Sequence, residues 1–229
     1  MQIISAPSPN FNDRADGRAA HILVMHYTDL PDGPASVAWM RDPEKKVSSH
    51  YMVDTDGTIY QLVDETKRAW HAGVSFWQGE TDLNSASIGI EVQNTGHSLG
   101  YVPFPDKQID AVRELSADII RRNGILPRHV LAHSDIAPMR KIDPGHLFPW
   151  HALAQDGIGF WPPESAPPAA PDDVRAILGD FGYDTSIPFE KLIEAFQRHF
   201  EPEVFTTAGE TPGVITPRTL QRIGGMALR

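Results

Sequence analysis

The chain reads as an α/β protein: a mixed β-sheet flanked by helices, followed by a small three-helix C-terminal domain. Three observations predict this. Short β-rich apolar runs alternate with helical stretches along the first two thirds of the chain. A proline- and alanine-rich stretch, residues 162–172 (PPESAPPAAPD), has almost nothing to bury and reads as a semi-rigid extended linker. Beyond it only helical periodicity is visible. With 229 residues there is room for one full domain and a second small one. The expected division is therefore 1–161, a linker at 162–172, and 173–229.

Each element has its own signal. His21–Tyr27 reads as a buried strand with Ile22, Val24 and His26 on one face and Leu23 and Met25 on the other. A short helix covers Ala35–Arg41. His50–Asp54 and Thr58–Val63 form a hairpin, and Gly57 supplies positive φ in the turn between them. Ser87–Gln93 alternates strictly, with Ile88, Ile90 and Val92 opposite Gly89, Glu91 and Gln93. Asp106–Asn123 is the clearest helix, opened by Pro105-Asp106 and closed by Gly124, with Ile109, Val112, Ile119 and Ile120 on its apolar stripe. His129–His133 is a further strand. After the linker, Asp172–Leu178, Pro188–Phe200 and Pro217–Leu228 read as helices, the last started by a Thr216 N-cap and Pro217.

Composition removes several classes of function. Lys and Arg number 20 against 30 Asp and Glu, a net charge of −10, so the phosphate attraction that nucleic-acid binders rely on is missing. No apolar run approaches the ~18 residues of a membrane span. Without cysteine there are no disulfides, thiolate ligands or Cys nucleophile, so any metal must be held by His, Asp or Glu. HExxH and GxSxG are both absent. The start, MQIISAPSPNFNDR, has neither a basic nor an apolar signal region, which favours the cytoplasm; the periplasm or cell envelope is the alternative if a signal was removed.

Three features carry chemistry. His26 and His133 each close a predicted strand, where open sheets place their ligands. Lys141 and Asp143 alternate onto one side of an extended segment ended by Pro144-Gly145. They are either a surface ion pair of little worth or a metal ligand beside a cation that faces an oxyanion. Glu91 interrupts an apolar run: on an edge it faces solvent, whereas in a cleft desolvation raises its pKa and suits it to general-base work. Two histidines and a carboxylate, with a fourth position left to water, form the open coordination of catalytic zinc, which hydrolyses amides without a covalent intermediate.

The motifs MHYT (25–28), SHY (49–51), AWHAG (69–73), SIGIE (87–91), AHSDIAP (132–138) and KIDPG (141–145) occur in that order. Together they resemble the zinc-dependent N-acetylmuramoyl-L-alanine amidases of the AmpD/AmiD type, relatives of the peptidoglycan recognition proteins. The resemblance implies zinc held by His26, His133 and Asp143, with Glu91 as general base and Lys141 beside the tetrahedral intermediate. It also implies Trp70 and His71 lining a groove for peptidoglycan fragments or cell wall. His50 is read as structural, and His21, His97, His129, His146, His151 and His199 receive no role. Met139 stands where many relatives have glycine, which bears on substrate selectivity. The implied reaction is cleavage between N-acetylmuramic acid and L-alanine. The rival readings are a non-catalytic recognition protein on the same fold and a zinc hydrolase of another amide. The tail blocks LGDFGY (178–183), AFQRHF (195–200) and ITPRTL (215–220) are similar to the three-helix peptidoglycan-binding domain, with ligand binding left open.

Overall fold

The structure, a computed structural model, describes residues 2–227. In chain order its strands are β1 (Ile3–Ser5), β2 (Phe11–Asp13), β3 (Ile22–Tyr27), β4 (Tyr51–Val53), β5 (Ile59–Gln61), β6 (Lys67–Ala69), β7 (Ser87–Val92) and β8 (Val130–Ala132). The helices are α1 (Gly33–Arg41), α2 (Leu83–Ala86), α3 (Gly96–Leu99), α4 (Asp106–Asn123), α5 (His133–Ile136), α6 (Trp150–Gln155), α7 (Val174–Phe181), α8 (Phe189–Phe200) and α9 (Pro217–Met226). The sheet runs β1-β5-β4-β7-β3-β8, while β2 and β6 pair apart from it. It is mixed: β4, β7, β3 and β8 run parallel, and β5 is antiparallel to β4 through the expected hairpin. Gly57 closes that turn at φ 90°, and Asp54 N–H donates to the Thr58 carbonyl at 2.8 Å.

The alternation read from β3 divides the core. Leu23, Met25 and Tyr27 join Ile88, Ile90 and Val92 under α4, whose Ile109, Val112, Leu115 and Ile119 are buried. Ile22 and Val24, on the opposite face, pack with Leu131 against Leu178, Phe181, Leu192, Phe196, Phe200 and Ile223 of the C-terminal helices. Both faces are covered, as a parallel sheet requires. The proline-rich stretch is seated on α9: Ala169 N–H donates to the Leu220 carbonyl at 2.8 Å, and Gly224 leaves no room for a side chain against the Pro167 carbonyl.

The caps follow the sequence. Pro105 and Gly124 bound α4, with Gly124 at φ 64°, and the Thr216 hydroxyl accepts from Thr219 N–H. Leu228, the expected end of the last helix, lies outside the described residues. The expected strand through His133 stops at Ala132, because the Asp135 carboxylate accepts the Ala132 N–H at 2.7 Å and opens a helical turn at His133. Strands β1, β2 and β6 carry no alternation to read; each is three residues long, and β1 and β2 are exposed throughout. Among the described residues no helix is long and apolar enough to cross a membrane.

Candidate active site

His26 ends the buried face of β3, directly across from Glu91 on β7, and His133 follows β8. Parallel pairing therefore brings three chemically useful side chains to one carboxyl edge. The loop after α5 returns Asp143 to the same point, and Ser134 N–H donates to the Asp143 carbonyl at 3.0 Å. His26 Nδ1 and His133 Nδ1 stand 2.9 Å apart, and Asp143 Oδ2 lies 3.1 Å from the first and 3.0 Å from the second. All three residues are buried.

The hydrogen-bond network fixes which ring nitrogens carry protons. The Ser87 hydroxyl donates to the Leu83 carbonyl, so its oxygen is left to accept from His71 Nε2 at 3.3 Å. His71 Nδ1 is then an acceptor, and His26 Nε2–H donates to it at 3.0 Å. On the other side His133 Nε2–H donates to the Ala72 carbonyl at 3.1 Å. Both Nδ1 lone pairs consequently face Asp143 Oδ2, and three acceptors converge with no proton of their own. A bound cation relieves such a convergence. The ligands of a four-coordinate zinc, bound at 2.0–2.2 Å, are separated by about 3.3 Å. The observed triangle fits with a slight expansion, so this group can hold a metal.

Burial and then the neighbouring His133 push the His26 imidazole down to about 4. Burial likewise drives His71 well below the ordinary histidine range, helped by His26. Burial alone would raise Asp143; His133 and His26, when protonated and donating to its carboxylate, outweigh that and hold it well below the usual carboxylate range. Glu91 goes the other way: burial, then the charge of Asp143, raise it well above its ordinary value, against the pull of Lys141. Its Oε2 is buried without a hydrogen-bond partner. A carboxylate held like this is a strong proton acceptor aimed into a cleft.

That cleft has a volume of about 350 Å³ and is walled by His26, Glu91, His133, Lys141 and Asp143. His71 reaches its wall but is only 6% exposed, lying behind His26. The sequence placed His71 in a substrate groove; in the structure it both reaches the cleft wall and accepts a hydrogen bond from His26. Gly89 makes this possible, because a Cβ there would lie 2.6 Å from the His71 ring. Trp70 is not brought to the cleft. Pairing of β6 with β2 carries it to Asn12, whose Oδ1 accepts its indole N–H at 2.7 Å. His50 is fully buried within the sheet, accepting Gly89 N–H at Nδ1 (3.0 Å) and donating from Nε2 to the Lys67 carbonyl (3.0 Å).

Sequence reasoning missed other participants. Tyr27 and His97, joined by a 2.8 Å hydrogen bond, line the cleft with Trp39. Asp135, two residues after His133, is a buried junction: Oδ1 accepts from the Tyr183 hydroxyl at 2.7 Å and Oδ2 from His199 Nδ1 at 2.6 Å. The turn bearing His133 is thus tied to the C-terminal helices. The HSDIAP block named Asp135, but nothing local pairs it with residues 48 and 64 positions away.

A buried His–His–Asp group that could hold a metal, beside an unpartnered glutamate on the carboxyl edge of a mixed sheet, is the arrangement of a hydrolase site. A family model described as N-acetylmuramoyl-L-alanine amidase matches residues 16–146. Escherichia coli (strain K12) N-acetylmuramoyl-L-alanine amidase AmiD is 41% identical over 235 residues, covering 89% of this chain and 84% of that protein. The 1,6-anhydro-N-acetylmuramyl-L-alanine amidase AmpD of the same organism is 36% identical over 161 residues, covering 63% and 86% respectively. Among solved structures, E. coli AmiD in complex with anhydro-N-acetylmuramic acid-L-Ala-D-γ-Glu-L-Lys superposes with a TM-score of 0.79 at 34% identity, covering 96% of this chain and 97% of that one. AmpDh3 from Pseudomonas aeruginosa gives 0.79 at 30% identity, covering 93% of each. The chain belongs to the N-acetylmuramoyl-L-alanine amidase family, enzymes that hydrolyse the amide between N-acetylmuramic acid and L-alanine.

Proposed function

We propose that the catalytic ion is zinc, held by His26 Nδ1, His133 Nδ1 and Asp143 Oδ2, and that Glu91 and Lys141 perform the proton and charge work around it. The convergence of three proton-free acceptors carries this reading. When bound, zinc supplies a Lewis acid that polarises the scissile carbonyl and acidifies water. Glu91, whose proton affinity is raised by its burial, takes the proton of the attacking water and delivers it to the departing L-alanine amine. Lys141, on the same cleft wall, faces the oxygen on which negative charge develops; such donors are worth ~3–4 kcal/mol in comparable sites. Residues 1–161 carry this chemistry and residues 173–229 form a helical module of the peptidoglycan-binding type.

The anhydromuramyl tripeptide named as substrate for AmiD, and the anhydromuramic pentapeptide held in an AmpDh3 complex, support anhydro-muropeptides as the substrate class. Mass spectrometry of products from anhydro-muropeptides and from whole sacculi, with and without a chelator, tests the proposal. Chelator-sensitive release of peptides starting with L-alanine is the expected result; products unchanged by chelation would overturn the zinc centre. Preference for soluble anhydro-muropeptides accords with work in the cytoplasm, and cleavage of sacculi with work in the envelope.

A further inference from the structure

His26 is placed by the ladder of β3, but Asp143 lies in a loop, so no strand pairing fixes its backbone. Contacts through the residues that follow each donor do so instead. Ser134, after His133, donates its N–H to the Asp143 carbonyl at 3.0 Å. Pro144, after Asp143, has its carbonyl held by the Tyr101 hydroxyl, which donates at 2.7 Å. Tyr27, after His26, is joined by its hydroxyl to His97 Nδ1 at 2.8 Å. The His97 ring in turn stacks on Tyr101, with centroids 4.4 Å apart and planes 19° from parallel.

Tyr101 is the junction of these contacts. Its oxygen also accepts the Leu147 N–H at 3.0 Å, so one side chain closes the turn 144–147 from outside it. Phe104 and His146 meet its ring edge-on, at 6.2 and 5.4 Å, and hold it in place. Gly145 adopts φ 84°, and a Cβ there would collide with the Tyr101 hydroxyl, so the glycine of the KIDPG motif is what admits the phenol. Tyr101 does not wall the catalytic cleft. We propose that Tyr101 is a positioning residue for the metal centre: its hydroxyl sets the Asp143 carboxylate by holding the turn that follows it, and its ring, through His97 and Tyr27, ties that turn to the strand bearing His26. The role rests on the zinc reading above and extends it beyond the donor atoms.

Tyr101→Phe tests it, because the variant keeps the ring and its stacking and removes one oxygen. Partners of metal ligands are worth 10–100-fold in affinity; Tyr101 acts through the backbone, so zinc affinity of the full chain, by chelator competition, should fall about tenfold. In the metal-free chain the Leu147 amide should exchange its hydrogen about tenfold faster, which locates the loss in the turn. The visible spectrum of the Co(II)-loaded variant should differ from that of the parent, and at saturating zinc kcat for an anhydromuramyl peptide should fall about fivefold with KM unchanged. A merely structural bond would lower the thermal midpoint but leave zinc affinity and the cobalt spectrum as in the parent. That result, or unchanged Leu147 exchange, would overturn the positioning role and leave the zinc centre standing. A parent chain that takes up no zinc would sink the zinc reading and this role with it.

Discussion

Replacing His71 by leucine, a side chain of similar size, separates two roles for the AWHAG histidine. In the parent, His26 Nε2–H donates to His71 Nδ1 at 3.0 Å, and this bond keeps the His26 Nδ1 lone pair facing Asp143. Leucine removes the acceptor, and a buried donor left without a partner costs about 1–3 kcal/mol. The ring escapes that cost by moving its proton to Nδ1, where Asp143 Oδ2 at 3.1 Å accepts it. The lone pair that zinc needs is then occupied, and binding must reverse the tautomer first. The expected loss is 10–100-fold in zinc affinity, or about 1.4–2.7 kcal/mol, the range found for partners of metal-bound histidines. Competition against a chromogenic chelator measures it, and His71→Asn, which restores a carbonyl acceptor, should recover part of the affinity. Zinc affinity within about twofold of the parent would refute the support role. If KM rose at the same time, His71 would be a substrate contact, as the sequence suggested.

Glu91→Ala and Glu91→Gln should lower kcat by about 10²–10⁴ with zinc content preserved, whereas Asp143→Ala should lose both turnover and metal; elemental analysis beside kinetics separates the two outcomes. Tyr183→Phe deprives buried Asp135 of a donor and should destabilise the fold by about 1–3 kcal/mol in urea unfolding, though it removes only one oxygen. His50 predicts a pH effect. Burial pushes it down to about 4 from an ordinary 6.5, so the folded state binds its proton less readily than the unfolded state. Its contribution is fully present above pH 6.5 and is lost as pH falls from 6.5 to 4, by about 3 kcal/mol. Unfolding free energies at pH 7 and pH 4 should therefore differ less in His50→Gln than in the parent.

The parts of this protein that repeat along the chain were legible before any coordinates. Alternation in β3 and β7 assigned the two faces correctly, and the caps of α4 and α9 lie where proline, glycine and threonine marked them. The ordered motifs pointed to the donor set, and parallel pairing of β3 with β7 and β8 explains how residues 26, 91 and 133 meet. What stayed hidden depends on contacts distant in sequence. Whether Glu91 faced a cleft or solvent could not be read from its neighbours. Trp70 falls outside the lining of the 350 Å³ cleft because its position is set by pairing of β6 with β2, two strands of three residues with no periodicity.

Composition and energetics also divide this chain differently. The proline-rich stretch suggests that the helices after it stand apart, yet they share a core with the sheet face that ends in His26. Phe181, Phe196 and Phe200 are buried with Ile22, Val24 and Leu131, and burying each such ring contributes about 1.5–3 kcal/mol. Tyr183 and His199 bind the carboxylate that caps the turn carrying His133. A chain cut before the linker would therefore expose the apolar sheet face that ends in His26 and leave Asp135 without two of its three donors. Truncation at residue 161 should lower the thermal midpoint and weaken zinc binding together; a fragment 1–161 with the zinc affinity of the full chain would show that the two halves are energetically independent.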